Sequence, residues 1–329
     1  MKGNNVNMDN ILDIQQNKIS SNIKGKIFWF HGEPGTWKTT VASHFPKPFF
    51  AGFEIGYQFI DGIYAAPMTT WLDMKDLYRQ LKNPKVKEKF ETIVFDTISN
   101  ASTICYQYAL NQLGVSDPSQ ASWGQGWRKI KDEWNIIQDI AKLGYCIVFI
   151  SHSKETEVDV VNPVTKKKEH VVKVKTNMEG WASDVVWGLS DFVFYIRKEL
   201  EEDGVTENCY AYSSLPNVDT KKRHRQFPDR ILFSYENIID GLNKIISYEQ
   251  SKGNLTTSEN VREVKEYSWT DVRDEVIRLV EELSQTSALG EMTRYITEVF
   301  DVRLSETTEL YLDKLIAAKD YLQELNEKI

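Results

Sequence analysis

Between residues 26 and 152 the chain alternates short, almost unbroken apolar runs with longer stretches in which apolar residues recur every third or fourth position. "KIFWFHG" (26–32) is such a run and closes on glycine, "KPFFAGFE" (47–54) is a second, "FETIVFD" (90–96) a third that leads into Asp96, and "YCIVFISHS" (145–153) a fourth. Runs this short and this apolar predict strands covered on both faces, as in the middle of a parallel sheet. "KTTVASHF" (38–45) predicts the helix that follows the first run. Trp127, Ile130, Trp134, Ile137 and Ala141 fall at helical steps, which predicts one amphipathic helix within 122–143, with Trp127 and Trp134 filling core. Strands alternating with helices imply an α/β architecture with a mostly parallel central sheet.

After residue 152 the texture changes. "EVDVVNPVTKKKEHVVKVK" has two valine-rich arms around a polar Asn-Pro turn and predicts a β-hairpin inserted after the fourth strand. "SDFVFYIRKE", "CYAYSSL" and "RILFSYE" predict further strands. The polar stretch 249–260 reads as a linker, and the Asn- and Gln-rich residues 1–23 as a flexible arm. The expected organisation is therefore an arm (1–23), a core (24–248), a linker and a C-terminal helical domain (261–329). That domain shows helical patterns near 270–284, 287–300 and 305–327. Its apolar faces (Val276, Leu279, Val280, Leu283; Leu310, Leu312, Leu315, Leu322) suit a small bundle or a subunit contact.

Composition narrows the chemistry. The 329 residues carry a formal net charge of -8, so the molecule is no polycation built to coat DNA, and any nucleic-acid contact needs a local basic patch. Cys105, Cys146 and Cys209 lie far apart without metal-ligand spacing, which fits a reduced compartment. The polar N-terminus has no apolar core of a secretion signal, and no stretch reaches the roughly eighteen apolar residues of a membrane span. A cytoplasmic protein with no membrane partner is expected.

The stretch "HGEPGTWKTT" (31–40) carries the most specific signal. Gly32, Glu33, Pro34, Gly35, Thr36, Trp37, Lys38, Thr39 and Thr40 follow the G-x-x-x-x-G-K-[ST] phosphate loop except that Trp37 replaces glycine. Such a loop surrounds phosphates with backbone N–H groups, while the lysine (Lys38) reaches the terminal phosphates and the hydroxyl (Thr39) binds magnesium. Asp96, 57 residues after Thr39 and at the end of an apolar run, is placed to be the second magnesium-orienting group. ATP and Mg2+ are the implied cofactors. Glu54, ending the second strand, is the candidate to orient or deprotonate the attacking water. Ser151 and His152, ending the fourth, are candidates to sense the γ-phosphate. Trp37 is harmless if its φ is negative, and strained by about 1 to 3 kcal/mol if positive.

"GEPGTWKTT", "FFAGFE", "TIVFDTIS" and "IVFISHSKE" together resemble the core elements of RecA-like P-loop ATPases, in particular the phage-encoded nucleotide-binding proteins related to single-strand-annealing recombinases. The resemblance spans residues 24–245. It implies catalytic roles for Lys38, Glu54, Asp96 and His152, action on single-stranded DNA in recombination, annealing or replication, and a homo-oligomer, ring or filament, working with a single-strand-binding protein. It also places the basic hairpin, with Lys166, Lys167, Lys168, Lys173 and Lys175, where RecA-like proteins carry a DNA-contacting loop. "TKKRHRQFPDR" (220–230) resembles the K-x-R element that reaches a neighbouring subunit's γ-phosphate, which would make Lys221 and Arg223 catalytic in trans. Trp123, Trp127, Trp181 and Trp187 are candidates to stack on bases. Two other classes stay open: a small-molecule P-loop kinase, and a non-hydrolysing nucleotide-dependent scaffold, which Trp37 would suit.

Overall fold

The structure is a computed structural model that describes residues 16–161, 166–259 and 269–327. The chain divides into two compact units, the first to residue 264 and the second from residue 265. In the first, β1 (Ile19–Ser20) precedes the apolar run that forms β2 (Ile27–Gly32), and α1 (Lys38–Ser43) follows. β3 (Pro48–Gly52) and β4 (Tyr64–Pro67) lead into α2 (Trp71–Leu81) and α3 (Pro84–Lys89). Next come β5 (Thr92–Asp96), α4 (Ile98–Leu113), α5 (Gln125–Trp134), α6 (Ile136–Lys142) and β6 (Cys146–Ser151). The hairpin is β7 (Ser153–Val161) with β8 (Lys168–Thr176). Behind it lie α7 (Gly180–Leu189), β9 (Phe192–Leu200), β10 (Glu207–Tyr212), β11 (Lys221–Lys222), β12 (Arg230–Leu232), α8 (Tyr235–Ser251) and β13 (Thr256–Thr257).

The main sheet has the order β12-β10-β9-β2-β6-β5-β3-β4, with β11 beside β9. From β9 to β4 all pairings are parallel, whereas β10, β11 and β12 add an antiparallel edge. The apolar runs are explained by what covers them. Ile27, Trp29, Phe95, Phe149 and Val193 pack into one core with α2, α4, α6 and α7. Their strand neighbours Phe28, Phe30, Val94, Val148 and Phe194 face a second core with α1 and α8. With helices on both faces, alternate residues have no solvent side to point to. Because β6 lies between β2 and β5, the carboxyl ends of β2, β6, β5 and β3 form one edge, where ligands bind in open parallel sheets.

Three expectations need correction. The helix expected over 122–143 is two helices, α5 and α6, interrupted at Asn135. The interruption serves the end of α5: Trp134 stacks on Trp71 with centroids 5.8 Å apart, while buried Glu133 pairs with Lys75 (2.7 Å) and Lys129 (2.8 Å). Trp127, two turns earlier in α5, stays 44% exposed against Tyr106, so only Trp134 fills core. The arm and the linker also differ from the reading as separate flexible pieces. α8 runs on to Ser251, and Ile19–Ser20 pairs in parallel with Thr256–Thr257, locked by Ser20 Oγ donating to the Glu259 carbonyl (2.5 Å) and Asn22 Nδ2 to that of Ser258 (3.0 Å). Backbone groups on both stretches satisfy each other, which local composition does not reveal. Residues 1–15 and 260 lie outside the described residues.

In the second unit α9 (Trp269–Leu283), α10 (Leu289–Val299) and α11 (Leu312–Glu327) bury Val276, Leu279, Leu283, Met292, Leu315 and Leu322 in a common core. Leu310, expected on the apolar face, is exposed because the chain before α11 is a 3-10 turn.

Candidate functional site

Two glycines shape the loop between β2 and α1 for different reasons. A Cβ at Gly32 would lie 2.1 Å from the Ile196 carbonyl oxygen on β9, so the neighbouring backbone excludes any side chain. Gly35 has φ 76°, a left-handed conformation that glycine adopts without penalty. Trp37 is left-handed too, at φ 59° and ψ 23°, and its carbonyl accepts from Val41 N (2.9 Å) to start α1. The motif's missing glycine is thus missed by the backbone, and the strained branch of the sequence reading applies. The indole is 53% exposed, so the loop, not ring packing, imposes this torsion.

Lys38 is buried beneath the loop. Its ammonium donates to the carbonyls of Gly32 (3.0 Å) and Glu33 (2.6 Å) and to Thr36 Oγ1 (3.0 Å). Burial lowers its pKa from the usual 10.5 to about 8, against the pull of Asp96 and Glu54. Those donors are folded onto the loop's own oxygens, and a phosphate seated above them would compete for the same charge. Glu33, Pro34 and Thr40 are exposed. Thr39 Oγ1 donates to Asp96 Oδ2 at 2.7 Å. Burial pushes the Asp96 carboxyl up, and the Thr39 bond opposes that shift.

Glu54 is brought to the same place by backbone. The N–H groups of Phe53 and Glu54 both donate to the Asp96 carbonyl, at 2.6 and 3.0 Å, which pins the end of β3 onto β5. Its carboxylate Oε2 lies 3.3 Å from His152 Nε2, with both side chains partly open to solvent. His152 Nδ1 is buried and has no hydrogen-bond partner among the described residues. Ser151 does not join them, contrary to expectation. It is fully buried and its Oγ accepts from Trp29 Nε1 (2.9 Å), because as the last residue of β6 it points into a core while His152 lies beyond the strand.

The hairpin pairs from Ser153 opposite Thr176 to Val161 opposite Lys168; its turn, residues 162–165, lies outside the described residues. Side chains alternate between its faces. Lys154, Thr156, Lys173 and Lys175 share one face, while Glu155, Glu157, Asp159 and Lys168 share the other. The five expected lysines therefore do not form one surface. Lys173 pairs with Asp219 at 3.0 Å, and Lys166, Lys167 and Lys168 are exposed near the turn. The sequence reading missed Lys154, whose signal was its register opposite Lys175, and His31, a polar side chain inside an apolar strand. His31 is fully buried and bonded to Ser153 Oγ (2.8 Å) and the Asp219 carbonyl (2.6 Å).

A sequence model of a family described as an AAA domain matches residues 24–224, which contain the loop, Glu54, Asp96, His152 and the hairpin. The chain belongs to that AAA-domain family. In its main sheet the loop strand, the strand before His152, the Asp96 strand and the strand before Glu54 lie side by side in that order. The chain is similar to the SPbeta prophage-derived protein YorG of Bacillus subtilis (strain 168), 28% identical over 218 residues, 64% of this chain and 66% of that one. The match thus spans just under two thirds of that relative's length. Two solved structures are also similar. The flagellar accessory protein FlaH of Methanocaldococcus jannaschii is 10% identical, with a TM-score of 0.34 over 64% of this chain and 85% of that one. A KaiC-like protein of Pyrococcus horikoshii OT3 is 12% identical, with a TM-score of 0.32 over 57% and 78%.

In this AAA-domain chain Lys221 and Arg223 lie away from the loop. Lys221 stands opposite Val193, itself opposite Trp29, so the pair sits toward the amino ends of the strands, about 10 to 16 Å back from Gly32 at 3.3 Å per residue. Lys221 Nζ donates to the Trp187 carbonyl (2.5 Å). Arg223 pairs with Asp191 (2.6 Å) and donates to the Gly188 carbonyl (3.0 Å). Arg223, His224, Asp191, Lys24 and Leu242 help line a cavity of about 400 Å3 at that edge. Trp181 packs among Tyr106 and Trp134, and Trp187 lies under Lys221, which leaves Trp123, 99% exposed, as the most open of the tryptophans considered for stacking.

Proposed function

We propose that this chain is a magnesium-dependent ATPase that works on single-stranded DNA in phage-type recombination, annealing or replication. The observation that carries the reading is the bond between Thr39 and Asp96, with Glu54 fastened to the Asp96 backbone beside it. A hydroxyl and a carboxylate at one spot are hard oxygen donors of the kind magnesium takes alongside phosphate oxygens and water. Thr39 and Asp96 would hold the ion, which when bound would neutralise charge on the phosphates. Lys38 would give up its carbonyl partners to the β- and γ-phosphates. Glu54 would orient the attacking water, and the Glu54–His152 contact would report whether a γ-phosphate is present.

The DNA surface in this reading is the hairpin face that carries Lys154, Lys173 and Lys175, with Lys166, Lys167 and Lys168 at the end of the same hairpin. Prophage origin of the relative YorG agrees with a phage role. Lys221 and Arg223 are too far from this chain's own loop to act there, so their catalytic role requires a second copy of the chain, in a ring or filament, and a single-strand-binding protein would share the strand. The left-handed Trp37 favours a second reading, a nucleotide-dependent scaffold that binds without hydrolysis. Measuring ATP turnover with and without single-stranded DNA separates the two. DNA-stimulated turnover supports the ATPase, and binding without turnover supports the scaffold.

A further inference from the structure

We infer that His31 is the positioning residue that couples the phosphate loop to the hairpin. It precedes Gly32, whose carbonyl holds Lys38, and its fully buried ring touches β7 at Ser153 and, beyond the hairpin, Asp219, which in turn bonds β8. Nε2 lies 2.6 Å from the Asp219 carbonyl oxygen, which only accepts, so Nε2 carries the proton. Nδ1 of the neutral ring is then an acceptor, and the Ser153 hydroxyl, 2.8 Å away, donates to it. Burial supports the neutral form by lowering the pKa to about 4. Ser153 is the first residue of β7. Asp219 holds β8 twice: its N–H donates to the Val174 carbonyl (2.9 Å) and its carboxylate pairs with Lys173 (3.0 Å).

One imidazole on the loop strand therefore holds one arm of the hairpin directly and the other through Asp219, which also carries the ion pair to Lys173 of the basic face. A displacement of Gly32 when Lys38 turns from the loop carbonyls to phosphate moves the ring next to it, and the ring has no free nitrogen with which to let either arm lag. The Glu54–His152 contact enters the hairpin at the same base, through His152 and Asn177, whose N–H donates to the His152 carbonyl (2.8 Å). His31 is a separate connection that does not pass through the catalytic acid.

The inference rests on the proposal that the loop binds ATP, and its first readout is independent of DNA. Hydrogen exchange of the amides in 153–161 and 168–176 would be followed with and without ATP in the wild type, His31→Phe, His31→Gln and Ser153→Ala. ATP affinity of each would be measured alongside. The wild-type hairpin should change protection on ATP binding. His31→Phe, which keeps a ring but loses both bonds, should bind ATP within about twofold and lose the change. His31→Gln, an amide with one acceptor and one donor, should retain it in part. Ser153→Ala, which leaves β8 held, should lose the change in β7 alone and supplies the readout if His31→Phe does not fold. With DNA present, stimulation of turnover should fall about fivefold or more in His31→Phe. A wild-type hairpin indifferent to bound ATP, or an unchanged response in His31→Phe or in Ser153→Ala, overturns the inference. Equal loss of ATP affinity in all His31 variants also overturns it, since the histidine would then merely support the loop. Failure of wild-type ATP binding would instead remove the proposed function, and absent DNA stimulation with an intact exchange response would remove only its DNA partner.

Discussion

Glu54 and His152, 98 residues apart in the chain, meet with 3.3 Å between Oε2 and Nε2 at the carboxyl edge of the sheet. Neither strand alone produces the meeting: β3 delivers the acid because its end is tied to the Asp96 carbonyl, and β6 delivers the histidine because it lies between the loop strand and β5.

Glu54→Gln keeps size and hydrogen bonding but removes the base, so turnover should fall about 10²- to 10⁴-fold with ATP affinity within a few-fold of wild type. Single-turnover hydrolysis and equilibrium binding measure the two separately. Undiminished hydrolysis would assign Glu54 to a solvated turn.

Lys38 ties affinity and stability to pH in opposite directions. Its folded pKa of about 8 lies below the ordinary 10.5, so between those values the unfolded chain binds more protons and stability rises with pH. ATP affinity should do the reverse and fall by up to about tenfold per pH unit above pH about 8, as the ammonium in the free protein is lost. Titration calorimetry from pH 7 to 9.5 would show it. Lys38→Ala should abolish binding and flatten the profile.

The left-handed torsion at Trp37 predicts that glycine fits better. Trp37→Gly should relieve strain of about 1 to 3 kcal/mol, partly offset by glycine's entropy, for a net gain near 1 kcal/mol. Thermal unfolding should then rise by about 2 to 4 °C. Trp37→Ala keeps the torsional penalty and should gain nothing, so equal gains from both variants would contradict the strain. ATP binding should stay equal or tighten in Trp37→Gly.

The two hairpin faces should differ sharply toward single-stranded DNA. Replacing Lys154, Lys173 and Lys175 with glutamine should lower affinity and reduce the slope of log affinity against log salt by up to about 2, at about 0.7 per phosphate contact. Neutralising Glu155, Glu157 and Asp159 should leave the slope unchanged and affinity equal or higher. Filter binding across a salt series measures both. Equal losses from both sets would mean that neither face is the DNA surface.

Local sequence was enough for the elements whose chemistry is carried by neighbours in the chain. The apolar runs of β2, β5 and β6 announced a sheet buried on both faces, since no alternation with polar residues was present to offer a solvent side. The loop from Gly32 to Thr39, and Asp96 at the end of its run, were legible because strand, turn and helix are written consecutively. What the sequence left undecided was every relation between residues far apart. Trp37's torsion is imposed by loop closure, Ser151 is claimed by Trp29, and His31 is held by Ser153 and Asp219. The segment before β2 and the residues after α8 satisfy one another's backbone groups instead of forming separate tails. The lysines split between two faces because the register of β7 against β8, set by backbone pairing, decides which way each side chain points. Torsion, partner choice and register depend on long-range contacts, and only the tertiary structure supplies them.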